Sequence, residues 1–477
     1  MKERFFNPLF IKEVREEVRS RKIFFLVPVY IAILSTVAIV AISGSSGLSF
    51  NPVTLSSTAR FTMFSFVITI TILIGLISSV FGASSFTIER EKATYELLEL
   101  TPLSYTDLVL GKFFHVLMVC ALILFSSLPV LSTLFFMGGV TYADVFLSLF
   151  YLIFFFMVII LGAICISIVT SRTIFSIILA LGLGFTLSAV LGILSGGAFR
   201  QPEFVGFAVI SPWFVTWQQI FSPTPMKMGA TVLPVWPFYL LIYSLLALLL
   251  LFWARNALDV RKLERNPWAR ILGLICVNSY VAIAIVCAHS YRPMNAADAE
   301  DFFQVIMFII IATLPFFAAG VMTERDTTRF ERQPLADSFH LKRLFLNYPP
   351  TGLPFLFLMI ATIAFNFTLT SGLPWRTVSP FVSEIGLWIA PWFLLFLALR
   401  LWGLRGRILF VTYLLGTLFC TILSVFWHAP SSTQTVFSFY LTPPNIILLS
   451  VAALASYSIA RIQTKRKKAG QPPALQT

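Results

Sequence analysis

Charged residues and histidine are scarce in this chain. Only 12% of its 477 residues are Asp, Glu, Lys or Arg, and His occurs 4 times. Charged residues make up about a quarter of a typical soluble protein, so water is not the main solvent here. Since the side chains that usually transfer protons or bind metals are rare, we expect neither a soluble enzyme nor a metal site.

Cysteine motifs and nucleotide-binding motifs are also lacking. The 5 cysteines fall in apolar stretches and form no CxxC pair, so we expect small buried side chains rather than disulfides. The nearest approach to a phosphate-binding loop, Gly111–Lys112, is followed by Phe113 instead of Ser or Thr. Neither a GxSxG nor an HExxH pattern occurs in the apolar segments. We predict that the chain is not an enzyme and that another chain supplies any ATP hydrolysis.

Apolar residues dominate what is present. Hydrophobic residues make up 58% of the chain, 50 residues are Phe, and the mean hydropathy is +0.89. A spanning helix needs roughly 20 consecutive apolar residues, and about twelve segments qualify. They lie at 23–42, 61–82, 113–137, 145–169, 173–195, 236–254, 271–289, 302–322, 352–371, 385–402, 408–427 and 443–460. This pattern predicts an all-α, polytopic membrane protein with about twelve transmembrane helices.

The positions of Lys and Arg indicate the orientation, because basic residues in short loops resist translocation. With the amino terminus inside, all but five of the 34 basic residues fall in cytoplasmic segments. The exceptions are Arg60, Arg200, Lys227, Arg292 and Arg376. We expect both termini to be cytoplasmic, in the inner or plasma membrane, with the basic tail 461–477 facing anionic lipid. The net charge of +13 then requires no nucleic-acid partner.

The segment between the second and third spans, residues 83–112, carries the most specific pattern. Charged positions follow a helical pattern over Glu89–Leu100, and Pro102 ends that helix. Ser104 or Thr106 can cap a second short helix that leads into the third span. We predict a helix, a break and a second helix at the cytoplasmic surface.

The first 22 residues form a second marker. Pro8 begins a predicted helix in which Phe10, Val14 and Val18 recur at helical spacing, with charged residues around the rest. A narrow apolar stripe on a charged helix suits an element that lies flat in the lipid headgroup layer. We therefore expect residues 1–22 to form an elbow helix before the first span.

These segments resemble the integral-membrane permease subunits of type-2 ATP-binding cassette (ABC) exporters. The resemblance rests on Asn7–Pro8 with the basic elbow, EREKATYELLELTPL from Glu89 to Leu103, Gly111–Lys112, SLP at Ser127–Pro129, and Gly138–Gly139. It is strong over residues 1–170 and faint beyond them. In that family a coupling element after the second span docks on a separate ATP-hydrolysing subunit.

The resemblance implies a partner-facing set within the coupling element. Its members are Glu89, Arg90, Glu91, Thr94, Glu96, Leu97 and Pro102. It also implies that ATP and magnesium are bound by the partner ATPase, with no cofactor in this chain. The alternative for this segment is a polar loop that only solvates the surface.

A fainter pattern indicates an internal repeat. Asn266–Pro267 precede the seventh span as Asn7–Pro8 precede the first, and the loop after the eighth span contains similar charges. The counterparts in that loop are Glu324, Arg325, Asp326, Glu331 and Pro334. We predict two parallel six-span halves, 23–254 and a diverged 255–460, in one chain. Each chain would supply both halves or pair with a second permease chain, and chance similarity between two charged loops is the alternative.

The longest segment on the outer side, residues 196–235, is apolar and aromatic. We expect short re-entrant or surface helices there, acting as an outer gate or as a cap over the spans. Trp213 and Trp217 suit the membrane interface.

Ionisable residues are nearly absent from the predicted spans, whereas ion-coupled transporters place them there. The exceptions near span ends are Lys112, Glu384, Arg400, His115, His289 and His428. We expect the histidines to be satisfied locally or to snorkel toward an interface. The sequence therefore favours an exporter permease that moves an amphipathic or hydrophobic substrate. The alternatives are an uncoupled secondary transporter and a non-transporting membrane anchor or assembly protein with a permease-like fold.

Overall fold

The structure is a computed structural model. It describes residues 8–19, 22–44, 52–95, 103–200, 205–221, 226–228, 231–258, 268–291, 358, 361–363, 365–366 and 368–369. The chain divides into two compact units, 1–293 and 294–477. Every element described below belongs to the first unit, and the described residues between 358 and 369 in the second unit are helical.

The first unit is built from helices. They are α1 Pro8–Arg19, α2 Lys22–Gly44, α3 Pro52–Ser84, α4 Thr87–Glu91, α5 Tyr105–Ser126, α6 Leu128–Met137, α7 Tyr142–Val169, α8 Thr173–Arg200, α9 Val205–Ala208, α10 Pro212–Phe221, α11 Trp236–Leu258 and α12 Trp268–Tyr291. A short hairpin of β1 Met226–Met228 and β2 Thr231–Leu233 lies between α10 and α11, with Met226 opposite Leu233.

The described residues contain 6 helical segments that are long and apolar enough to cross a membrane. These segments confirm an all-α polytopic membrane protein. Each of the first seven predicted spans is covered by one or two helices of the first unit, and the apolar part of α8 is the shorter segment Thr173–Phe185. The eighth and the tenth to twelfth predicted spans lie outside the described residues, as does the basic tail 461–477.

The centre of the first unit is the contact of α3 with α7. Both helices are apolar, and α7 is also packed against α11 while α3 is also packed against α8. The closest approach is at Gly82, where an added Cβ would lie 2.7 Å from the Cβ of Ala163 and 3.2 Å from the carbonyl oxygen of Ile160. The missing side chain at residue 82 is therefore what allows the two helices to approach at this point.

The third predicted span consists of two helices that meet at Ser127. Pro129 lies in the first turn of α6, where its missing N–H costs no helical hydrogen bond. The Ser127 hydroxyl donates to the carbonyl oxygen of Leu124 at 2.6 Å, so its polar group is satisfied inside the apolar layer. The SLP sequence at residues 127–129 thus marks a helix junction.

The predicted outer segment packs into the helices. Helices α9 and α10 are largely buried, and two tyrosines on neighbouring spans hold their backbone. The hydroxyl of Tyr243 on α11 donates to the carbonyl oxygen of Ile210 at 2.7 Å. That of Tyr280 on α12 donates to the carbonyl oxygen of Phe207 at 2.9 Å. These two short helices agree with the sequence prediction for this segment. Trp217 of α10 is stacked on Phe221.

Helix α12, assigned by sequence to the second half, packs within the first unit. It lies against α9 and α11, and an added Cβ at Gly206 would lie 2.8 Å from the Cα of Ala284. The counterpart residues 324–334 lie outside the described residues. The organisation into two parallel halves therefore stays a prediction.

The α3–α7 contact makes opposite predictions for one substitution at two glycines. Gly82→Ala should lower the free energy of unfolding by about 1–3 kcal/mol, because the added methyl group overlaps α7. Gly162→Ala, on α7, should be neutral or stabilising by up to roughly 1 kcal/mol, because its Cβ has no neighbour within 4 Å and alanine favours a helix. Thermal unfolding of the two variants in one detergent checks this. Equal melting temperatures would contradict the close approach.

Candidate coupling site

Helix α4 begins immediately after α3 and is held by two neighbouring spans. The backbone N–H groups of Phe86 and Thr87 donate to the hydroxyl of Ser167 on α7, at 2.9 and 3.2 Å. The hydroxyl of Ser176 on α8 donates to the carbonyl oxygen of Ala83 at 2.8 Å. These bonds satisfy backbone groups at the α3–α4 junction, so the position of α4 is tied to α7 and α8.

Beside α4 lies a buried group of charges, which we name the Lys112 cluster: Lys112, Glu13, Glu89, His115 and the carbonyl group of Ser85. The Lys112 ammonium group donates to Glu13 Oε1 at 2.8 Å, to Glu89 Oε1 at 2.9 Å and to the Ser85 oxygen at 2.8 Å. It also lies 5.0 Å from the centre of the Phe86 ring. The cluster joins α1, the end of α3, α4 and the start of α5.

The cluster is buried, which sets the strength of its interactions. The side chain of Lys112 is 2% exposed, and those of Glu13 and Glu89 are 15% and 16% exposed. His115 Nδ1 lies 3.2 Å from Glu13 Oε2. Burial alone would raise the pKa of Glu13, but the hydrogen bond from His115 and the charge of Lys112 lower that pKa from 4.5 to about 2. Glu13 is therefore an ionised carboxylate at neutral pH.

Arg90, the next residue along α4, caps the carboxyl end of α7. Its Nη1 atom donates to the carbonyl oxygens of Ile168 and Thr170 at 2.8 Å and to that of Ser167 at 3.3 Å. Its guanidinium carbon lies 5.0 Å from the ring centre of Tyr95. A cation at this position complements the negative end of the helix dipole and satisfies carbonyl groups that lack helical partners.

Glu91 completes the series by binding the start of α8. Its Oε1 atom accepts a hydrogen bond from the backbone N–H of Thr173 at 2.9 Å, where a carboxylate complements the positive end of the helix dipole. Three consecutive charged residues of α4 thus bind the ends of three different spans. Glu89 holds α5, Arg90 holds α7 and Glu91 holds α8.

The predicted helix over Glu89–Leu100 is interrupted after its first residues, and residues 96–100 lie outside the described part of the chain. The helix stops at Glu91, and Ala93 has a φ of 56°, a backbone conformation that turns the chain and that non-glycine residues seldom adopt. Thr94 closes this turn through its N–H, which donates to the carbonyl oxygen of Glu89 at 2.9 Å. Residues 92–94, which we name the α4 turn, are exposed.

The second part of the predicted coupling element begins where the sequence indicates but does not form a separate helix. Ser104 caps α5, and its hydroxyl accepts from the N–H of Asp107 at 3.2 Å. The helix that begins there is continuous with the third span rather than a separate short helix. Thr106, the other candidate cap, lies inside its first turn.

The predicted site residues fall into two groups. Glu89, Arg90, Glu91 and Thr94 are described, and the contacts of the three charged ones are with their own chain. Outside the described residues lie Glu96, Leu97, Pro102, Glu324, Arg325, Asp326, Glu331 and Pro334. Contact of either group with a partner stays a prediction.

Sequence reasoning did not join the other members of the site. In the sequence Glu13 is one of several charged residues on the elbow helix, and Lys112 and His115 lie near the end of a predicted span. Their spacing holds the missed signal: Lys112 and His115 lie three residues apart, on one face of a helix. A lysine followed by a histidine on the same face near the start of an apolar span requires an acidic partner for the lysine if that face is buried.

The fold and the site together define a polytopic membrane protein in which one short charged helix binds the ends of several spans. Residues 8–228 match the family described as ABC-2 family transporter protein. The match runs from the first residue of α1 to the last residue of β1 and covers just under half of the chain. It shows that this part of the chain is similar to that family and confirms the resemblance there. The chain matches no curated protein and no solved structure.

The lowered pKa of Glu13 predicts how docking of α1 depends on pH. Glu13 stabilises the docked helix fully above pH 4.5, and this contribution is lost as the pH falls from 4.5 toward 2. A nitroxide at the exposed position Ile11→Cys should gain mobility over that range in electron paramagnetic resonance spectra. In Glu13→Gln the label should lose this transition. The transition should persist in Glu16→Gln, because Glu16 is 70% exposed, and the opposite pattern would contradict the prediction.

The cap formed by Arg90 makes a second prediction. Arg90→Gln should lower the free energy of unfolding by roughly 2 kcal/mol, because it removes charge-assisted hydrogen bonds to helix-end carbonyl groups. Lys92→Gln removes the same charge two residues away from an exposed side chain and should change stability by less than about 0.5 kcal/mol. Thermal unfolding in detergent measures both. An equal loss in the two variants would indicate a general charge effect.

Proposed function

We propose that this chain is the permease subunit of an ABC exporter and moves a hydrophobic or amphipathic substrate using ATP hydrolysed by a separate subunit. One observation carries the proposal: α4 binds the ends of three spans through consecutive residues, while the α4 turn next to it is exposed. A force applied to this turn would reach several spans at once. The ABC-2 domain over residues 8–228 supports a permease-like membrane component.

In the proposed complex, ATP hydrolysis and membrane passage are carried out by two different proteins. The partner is an ATP-binding cassette ATPase, which binds ATP and magnesium, and this chain performs no catalysis. The exposed residues that would meet the ATPase are Ile88 on α4 and Lys92 and Thr94 in the α4 turn. Glu89, Arg90 and Glu91 instead transmit the movement to the spans. Membrane lipid surrounds the chain, and a second permease chain is a further partner if the second half does not complete the pathway.

The substrate class follows from the described spans. Few ionisable side chains lie in them, and many of their hydroxyl groups donate to carbonyl oxygens of their own or a neighbouring helix. Ser79, for example, donates to the carbonyl oxygen of Gly75 at 2.7 Å. Such spans offer little to a small ion, which needs charges or free oxygen ligands. We place the protein in the inner or plasma membrane with both termini in the cytoplasm, as the distribution of basic residues predicts.

Affinity purification from the native membrane tests the proposal. The wild-type protein should co-purify an ATPase, and the eluate should hydrolyse ATP. Ile88→Asp/Thr94→Asp should abolish this activity while the permease remains monodisperse, because two charges are added to the proposed docking surface. Ser57→Asp/Tyr142→Asp, at exposed positions on the opposite predicted side, should retain the ATPase.

Two outcomes would oppose the proposal. Wild-type protein that purifies without any ATPase would favour the membrane anchor or the uncoupled secondary transporter. If the ATPase binds the Ile88→Asp/Thr94→Asp variant as tightly as it binds the wild type, the docking surface does not include the α4 turn. Transport of an inorganic ion by the purified complex would contradict the substrate class alone.

A further inference from the structure

The ammonium group of Lys112 is bonded to two separate parts of the chain. Its ammonium group has three N–H bonds, and all three are used. One donates to Glu13 on α1, one to Glu89 on α4 and one to the Ser85 carbonyl group between α3 and α4. Among the described residues, the cluster is therefore a direct polar link between the elbow helix and α4.

The link is strong because it is buried. Removing one member of a buried, hydrogen-bonded ion pair is strongly destabilising, since the group that remains loses its partner in a place that water does not reach. The exposed pair Lys12–Glu16, whose atoms lie 3.9 Å apart on α1, contributes little because water screens it. Of these two ion pairs on α1, only the one in the Lys112 cluster is strong enough to hold the helix in place.

We propose that Lys112 is a positioning residue that fastens the elbow helix α1 to α4, so that α1 follows α4 when the ATPase moves it. The inference rests on the proposed function and extends it, because α1 becomes a moving part rather than a static membrane anchor. Helix α1 also packs on α5, the helix that carries Lys112. A displacement of α4 therefore moves α1 and the start of the third span together.

Because Lys112 has two carboxylate partners, one of them can be neutralised to weaken the bond between α1 and α4 without leaving a charge unbalanced. Lys112 faces two carboxylates, so Glu13→Gln leaves Lys112 and Glu89 as a balanced pair with nearly unchanged side-chain volume. This variant should fold and should keep the ATPase bound. Glu16→Gln makes the same chemical change on the same helix at an exposed position, and it is the matched control.

The experiment measures distances between pairs of nitroxide labels in the purified complex with its ATPase. One pair joins Ile11→Cys on α1 to Phe136→Cys near the other end of the third span. The second pair joins Lys92→Cys in the α4 turn to the same Phe136→Cys. All three positions are exposed. Each pair is measured without nucleotide and after trapping with magnesium, ATP and vanadate.

In the wild-type background both distances should change on trapping. With Glu13→Gln the change at Ile11 should disappear while the change at Lys92 remains, and Glu16→Gln should behave as wild type. If both pairs still shift together in Glu13→Gln, or if the Ile11 pair never shifts while the Lys92 pair does, the inference is wrong and the proposed function stands. If the distance between the Lys92 and Phe136 labels does not change on trapping in the wild-type background, both the proposed function and the inference are wrong.

Discussion

The rest of the described architecture depends on one buried ammonium group. Lys112 lies at the start of an apolar helix, where an unpaired charge would cost several kcal/mol, and it is stable there because two carboxylates and a carbonyl group surround it. Those acceptors come from α1 and from the α3–α4 junction, which are far apart in the sequence. Neutralising one lysine therefore requires α1, the end of α3 and α4 to meet at the same place.

The charged residues of α4 make contacts within their own chain that their sequence does not reveal. Glu89, Arg90 and Glu91 bind three different helices of the chain. Exposure is greatest at Ile88, at Glu91 and in the α4 turn. The residues that would transmit a movement are thus distinct from those that would receive it, and substitutions in the two groups should produce different defects.

The sequence predicted the fold well where the signal was local. Apolar length located the first seven spans, and the side chain of Ser104 marked the start of α5. Periodicity did not reveal that the helix predicted over Glu89–Leu100 is interrupted at the α4 turn, where Ala93 has a positive φ. Distant contacts were also beyond the reach of local patterns. Glu13 and Lys112 lie 99 residues apart, and neither residue's surroundings in sequence reveal the other. Only the packing of α1 on α5 brings them together.

The two tyrosines that hold the backbone of the outer segment have an evolutionary consequence. Tyr243 and Tyr280 bond to the backbone oxygens of Ile210 and Phe207, and a backbone oxygen is present whatever side chain the residue carries. Attachment of this segment is therefore insensitive to much of its own sequence. Related chains could therefore vary the side chains of this segment while keeping the same attachment.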